Sequence, residues 1–238
     1  MIAGARKVPE WESELWSYVS MGDGETCPLY SQCEGRQQCH WCPSDNKKEV
    51  EKINRFIDDD EFMPSSRESS KFDFIKDVRI GRIFTLVRKL AKMYFDKTVI
   101  HCPPVIIDLV SLADDNRPIE VHLLPLKAYH GAIWRMKDAW VIQLNKNDTL
   151  ARQRFTLFHE FFHILAHCRA TPVFRKRGIG GGSFNEALAD HFATVILTPE
   201  EWLRKKWPEV KDVNRMAEIF EVPRPVIWLR LKALELIQ

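Results

Sequence analysis

The stretch QRFTLFHEFFHILAH, residues 153–167, constrains the fold more than any other part of the chain. Its two histidines, His159 and His163, are four residues apart, and Glu160 follows the first of them. Residues four apart on an α-helix project from one face, one turn apart, so both imidazoles can bind a single Zn²⁺. Glu160 borders that face and can act on water without being a ligand. The spacing predicts a helix that carries a metal site and a general base.

A pattern this short can arise by chance, on the order of 0.02 times in a chain of this composition. The alternative interpretation is a core helix that carries a few satisfied polar groups. A catalytic zinc also needs a third protein ligand and an open position for water. The metzincin pattern would place a glycine at position 166 and a histidine at position 169, where the chain has Ala166 and Arg169. That pattern is therefore excluded, and the third ligand must come from another segment.

The segment NEALAD, residues 185–190, supplies the candidate third ligand. Glu186 and Asp190 are four residues apart, so both can face the histidine helix. Glu186 can coordinate the zinc, and Asp190 can accept the other ring N–H of one of the two histidines, which fixes the orientation of that ring. His191 is a rival ligand, but it points about 100° away from Asp190.

Hydrophobic patterning predicts the elements that precede these two helices. Residues 77–95 have apolar side chains at helical spacing, and residues 102–115 predict a short helix that starts at proline after an extended entry. Three strand-like runs follow, at residues 119–126, 131–137 and 139–145. The turn-type residues 136–138 predict a hairpin between the last two runs, so a small antiparallel sheet is the simplest arrangement. Residues 147–149 predict the N-cap of the histidine helix.

Composition and patterning predict three parts of the chain: a cysteine-containing segment and linker at residues 1–70, a main domain at 71–200 and a helical extension at 201–238. The 238 residues are 45% hydrophobic, which is sufficient for a core, and the formal net charge is only +2. A nearly balanced charge disfavours DNA binding. The sequence contains no recognisable secretory leader and no run long enough to cross a membrane, so we expect a cytoplasmic protein.

Four of the six cysteines lie close together near the N-terminus, in the stretch CPLYSQCEGRQQCHWC. Four thiolates could bind a structural Zn²⁺ or an iron–sulfur cluster. Redox-active disulfides and ordinary unliganded thiols are the alternatives. The candidate ligands of this second site are Cys27, Cys33, Cys39 and Cys42. The isolated Cys102 and Cys168 are expected to be buried small side chains.

Several segments in the same order make the chain resemble the ImmA/IrrE family of zinc metallopeptidases, from about residue 78 to the C-terminus. The segments are CPPVIIDLVSLA, GAIWRMKDAWVIQLN, RQRFTLFHEFFH and EALADHFATVILTP. The resemblance implies an α+β, helical zincin-like domain with a small antiparallel sheet and C-terminal helices that resemble a helix–turn–helix. It also implies a gluzincin-like site in which His159, His163 and Glu186 bind zinc and Glu160 is the catalytic base.

The sequence departs from the family's pattern in two ways. Phe161 and Phe162 replace the usual Leu-Gly inside the zinc motif, and a bulky Phe162 would either narrow a groove or pack on the sheet. Asp190 replaces the usual Asn, which makes the site more similar to that of thermolysin-like enzymes. Neither change removes a candidate ligand.

The resemblance implies a regulatory endopeptidase whose protein substrate is a helix–turn–helix transcriptional repressor. Two other functions stay open on the residues alone: a non-proteolytic binding module that keeps zinc for stability, and a DNA-associated regulator. The intact Glu160 favours the enzyme, because a binding module has no need of a general base. The C-terminal segment VNRMAEIFEVPRPVIWLRLKALELI is mainly apolar, which favours packing or partner docking over DNA binding.

Overall fold

The computed structural model describes residues 9–20, 78–98, 101–127, 129–169 and 184–237. The helices in these ranges are α1 (Glu10–Ser20), α2 (Val78–Phe95), α3 (Leu150–Arg169), α4 (Phe184–Leu197), α5 (Glu200–Val210), α6 (Val213–Phe220) and α7 (Arg224–Ala233), together with a 3₁₀ helix at Ile107–Ala113. The strands are β1 (Ile119–Leu124), β2 (Gly131–Arg135) and β3 (Trp140–Asn145). Helices around a small sheet confirm the predicted α+β class.

Strand β3 lies at the centre of the sheet, in the order β1–β3–β2. β2 pairs with it antiparallel, with Ile133 opposite Ile142, which confirms the hairpin predicted at residues 136–138. β1 pairs with β3 in parallel, with Val121 opposite Ile142, so the sheet is mixed and not antiparallel as predicted. Strand β2 therefore lies along one edge of β3, and β1 lies along the other. The chain between β1 and β2 crosses from one side of β3 to the other.

The sheet packs directly on the helix that carries the histidine motif. Trp140, Ile142 and Leu144 alternate along β3 and are buried, and the strand contacts α3. Strand β2 approaches α3 so closely that a Cβ at Gly131 would overlap the methyl group of Thr156. Glycine is therefore required where the sheet crosses the helix, about one turn before the histidine motif.

Helix α3 is the centre of the hydrophobic core. It begins after Thr149, whose hydroxyl accepts a hydrogen bond from the backbone N–H of Arg152 at 3.2 Å, as the capping residues predict. Phe161 is fully buried and lies edge-on to Tyr94 of α2 at 5.1 Å and to Phe192 of α4 at 5.3 Å. These aromatic contacts hold the neighbouring helices against α3.

Helix α1 was not predicted from the sequence. Its buried Trp16 lies 6.0 Å from the ring of Phe162 in α3, measured between centroids, and Leu15 is also buried. Phe162 packs further against Phe192, at 5.6 Å. The bulky residue inside the zinc motif therefore fills a space between helices; it neither lines a groove nor lies on the sheet. Two acidic residues in the first turn of α1, which favour a helix N-terminus, were an available signal.

The three C-terminal helices pack on the same hydrophobic core as α3 and α4. Asp212 caps α6 by accepting from the backbone N–H of Arg215 at 2.8 Å. Arg154 of α3 connects two distant segments: one of its terminal nitrogens donates to the carbonyl of Val105 at 2.5 Å, and its Nε lies 3.3 Å from a carboxylate oxygen of Glu221, between α6 and α7. The domain limits at residues 70 and 200 stay predictions.

Some predictions fall on residues that the structure does not describe. These include the cysteine cluster at residues 27–42 and the linker that follows it. Cys102 is exposed, so its predicted burial is wrong, and the side chain of Cys168 is not described. Among the described helices, none combines the length and apolar character that a membrane span requires.

Candidate metal centre

Helices α3 and α4 bring together a histidine pair and a carboxylate that are far apart in the chain. His159 and His163 lie on successive turns of α3, and Glu186 lies in the first turn of α4. One side-chain ligand atom from each of the three lies within 4.8 Å of the other two. His163 is buried, whereas His159 and Glu186 are partly exposed, so the group is open to solvent on one side.

The facing atoms of this His–His–Glu group are all of the kind that donate electron pairs to a cation. The Nε2 atoms of His159 and His163 are 2.9 Å apart. Nε2 of His159 is 3.1 Å from one carboxylate oxygen of Glu186, and Nε2 of His163 is 3.5 Å from the other. Two imidazole nitrogens and a carboxylate oxygen are a donor set that suits zinc.

Asp190 lies one turn after Glu186 and determines which nitrogen of His159 faces the group. Nδ1 of His159 is 2.7 Å from Oδ1 of Asp190, and a carboxylate can only accept, so Nδ1 carries the proton and donates it. In the neutral imidazole, Nε2 is then left with its lone pair directed at the other donor atoms. This arrangement is typical of a metal-binding histidine whose ring is oriented by a hydrogen bond to a carboxylate.

Electrostatics at the group also favour a bound cation. Burial acts to lower the pKa of His159, but the adjacent carboxylates, Asp190 first, raise that pKa well above its ordinary value. Burial acts to raise the pKa of Glu186, but His163 and His159 hold it well below its ordinary value. The carboxylate of Glu186 therefore stays ionised and attracts positive charge into the group, and a metal ion can supply that charge in place of a proton.

Glu160 lies beside the His–His–Glu group and outside it. The residue is buried, with 4% of its surface exposed, and its Oε2 has no hydrogen-bond partner among the residues that the structure describes. A buried carboxylate oxygen without a partner is unfavourable for stability. Such an oxygen is available to accept a proton from water bound at the neighbouring group.

Other histidines of the described chain lie outside this group. His191 is on α4 but lies edge-on to Phe84 of α2, 4.6 Å between ring centroids, as its different angular position on the helix predicts. His130 is paired with Asp148 at 2.8 Å, and His122 lies on the exposed strand β1. His122, His130 and Tyr129 lie in or beside the sheet region, and their sequence positions make them candidates for stabilising an oxyanion.

Comparison of the sequence with known proteins identifies a family. A sequence search of curated proteins finds no match. The family model for peptidase M78, described as an IrrE N-terminal-like domain, matches residues 114–232. The match begins before β1 and ends inside α7, so it includes the sheet, the His–His–Glu group and the C-terminal helices. Because half of the chain fits that model, the protein belongs to the ImmA/IrrE metallopeptidase family.

Proposed function

We propose that the protein is a zinc-dependent endopeptidase that hydrolyses a peptide bond in a partner protein. The observation that carries the proposal is the convergence of His159, His163 and Glu186 within 4.8 Å, with the buried carboxylate of Glu160 beside them. Family membership supports a peptidase that acts on protein. The donor set supports zinc as the metal, with the exposed side of the group free for water and substrate.

Each side chain of the site has a separate role in the proposed reaction. When bound, zinc supplies a Lewis acid that polarises the peptide carbonyl and makes water more acidic. His159, His163 and Glu186 would hold the ion, and Asp190 keeps the His159 ring in place. Glu160 accepts the proton that the attacking water loses and delivers it to the nitrogen of the leaving amine. Its position in the same helix as both histidines fixes its distance from them.

We further propose that the substrate is a helix–turn–helix transcriptional repressor and that cleavage inactivates it. The resemblance to ImmA/IrrE proteins supports this substrate class. In α7, the residues Val226, Ile227 and Leu231 are buried, which supports packing or partner docking over DNA reading. The C-terminal helices therefore belong to the body of the enzyme in this proposal.

Metal-dependent cleavage tests the proposal directly. We expect the purified protein to cleave a helix–turn–helix repressor from the same organism, to lose that activity in a chelator and to recover it when zinc is restored. An unrelated folded protein of similar size is the control substrate. Cleavage that persists after complete metal removal would contradict the zinc mechanism. Metal-dependent cleavage of the control protein alone would contradict the repressor as the substrate.

We also propose a second metal site at Cys27, Cys33, Cys39 and Cys42, on the evidence of their spacing in the sequence. The segment around them has few apolar residues, so a metal would supply stability that a small core cannot. Zinc and an iron–sulfur cluster are the two candidate occupants.

Asp190 has a predicted effect on metal affinity. Replacing it with Ala is expected to weaken zinc binding about 10- to 100-fold, because the ring of His159 loses the acceptor that orients it. Asp190→Asn should lose much less zinc affinity, since the amide oxygen can still accept a hydrogen bond from Nδ1 of His159. Competition with a chromophoric chelator measures both affinities. Asp96→Ala, which removes an exposed carboxylate paired with Lys92, is the control. Equal affinities in Asp190→Ala and the wild type would contradict the orienting role.

A further inference from the structure

A buried arginine on α7 lacks a full set of partners. Arg230 has only 6% of its surface exposed, and its Nε has no hydrogen-bond partner among the residues that the structure describes. Buried charges in proteins are ordinarily paired and hydrogen-bonded, because removing an ion from water is costly. A planar guanidinium presents its donors in a fixed fork that suits an oxyanion. The Nε of Arg230 therefore lacks an acceptor of the kind that a phosphate group provides.

The charges around Arg230 are predominantly positive. Burial lowers its pKa to about 10, the charge of Glu200 opposes that shift, and the charges of Arg88 and Arg204 add to it. Glu200 is already engaged, because Nε of Arg204 donates to its Oε1 at 2.7 Å. Arg88 donates to the hydroxyl of Thr85, a neutral group, at 2.7 Å. The charges of two further guanidinium groups and one carboxylate therefore act on Arg230, and the carboxylate is paired with Arg204.

His191 reports the same positive environment from α4. Its ring packs edge-on against Phe84 of α2 at 4.6 Å, and its Nε2 has no hydrogen-bond partner in the described part of the chain. Burial, followed by the charges of Arg88 and Arg230, lowers the pKa of His191 to about 3. The ring is therefore neutral near neutral pH, and it leaves the arginine charges as the dominant ones at this junction.

We propose that the junction of α2, α4, α5 and α7 is a binding site for a phosphate-type oxyanion, held by Arg230 together with Arg88 and Arg204. Three guanidinium charges less one carboxylate leave about two positive charges, which match a phosphate group that carries about −1.5 to −2 near neutral pH. Charge-assisted and bidentate hydrogen bonds to such an anion would satisfy Arg230. The proposal is independent of the peptidase activity, because none of these residues belongs to the metal centre.

Thermal unfolding in inorganic phosphate tests the site. Relative to sodium chloride at the same ionic strength, we expect phosphate to raise the Tm of the wild type with the logarithm of its concentration above the Kd, by about 5–10 °C when it exceeds its Kd about a hundredfold. Arg230→Met should lose this response, while its Tm in chloride is unchanged or higher because the incompletely paired charge is gone. Arg224→Met, an exposed arginine of the same helix, should retain the response.

A second variant separates binding from folding. Arg88 is exposed, so Arg88→Met should fold normally and weaken phosphate affinity about tenfold or more. A Tm that rises no more in phosphate than in chloride would overturn the proposal. So would a large loss of stability of Arg230→Met in chloride, because it would show that Arg230 is already paired within the chain. Neither result would affect the metal centre, whose residues are intact in each variant.

Discussion

Replacing Glu160 with Gln is expected to lower the rate of peptide hydrolysis about 10²- to 10⁴-fold. The amide has nearly the same shape as the carboxylate, but it cannot accept the proton that the attacking water loses. His159, His163 and Glu186 are unchanged, so the zinc content should stay at the wild-type level. Stability should be equal or higher, because the substitution removes a buried carboxylate whose Oε2 lacks a partner in the described structure. The Glu160→Gln variant thus separates catalysis from folding and from metal binding.

Three measurements on one preparation test this expectation: hydrolysis of the proposed repressor substrate, zinc by elemental analysis, and Tm. Glu201→Gln is the matched control, because it makes the same chemical change at an exposed position. Full activity in Glu160→Gln would show that Glu160 is not the base. Lost activity together with lost zinc would place Glu160 among the groups that hold the metal, which contradicts its proposed role.

Replacing Glu186 with Ala is expected to weaken zinc binding by more than about 10- to 100-fold. That range is typical when a residue that only hydrogen-bonds to a metal ligand is replaced. Two imidazoles on α3 would remain, but the donor from α4 would be lost, and hydrolysis should fall with the metal. The helix itself should persist, since alanine has the highest helix propensity. The measurement is zinc per chain after dialysis against a chelator.

The cysteine variants make this measurement more specific. In the double variant Cys39→Ala/Cys42→Ala, we expect the zinc at the His–His–Glu group to remain and any metal held by the cysteines to be lost. The two sets of variants should therefore remove different metal equivalents. Unchanged zinc in Glu186→Ala would show that the third ligand is another residue. Metal content equal to the wild type in the cysteine variant would contradict the second site.

The helices that carry the candidate site could be predicted because their signals are local. His159, Glu160 and His163 occupy one helical turn, and the capping by Thr149 and the apolar spacing are readable in a short window. The prediction that Glu186 faces α3 rested on a second four-residue spacing, that between Glu186 and Asp190. The convergence of the three ligand atoms confirms that these residues lie together, whereas their roles stay predictions.

Non-local features could not be read in the same way. The parallel pairing of β1 with β3 depends on how the chain crosses between β1 and β2, and strand patterns do not encode that path. The packing of Trp16 on Phe162 joins segments that are far apart in the chain. The burial of Arg230 arises from the packing of α7 against other helices, so its place in the sequence, among apolar residues of α7, did not predict it.

The contact between α1 and α3 has a consequence for how the protein is made. Residue 16 is synthesised long before residue 162, so at about 5–20 residues per second α1 waits roughly 7–30 s for its packing partner. During that interval Leu15 and Trp16 expose their apolar surfaces on a nascent chain. Loop closure over such a distance also slows folding. The protein therefore completes this part of its core only when most of the chain has left the ribosome.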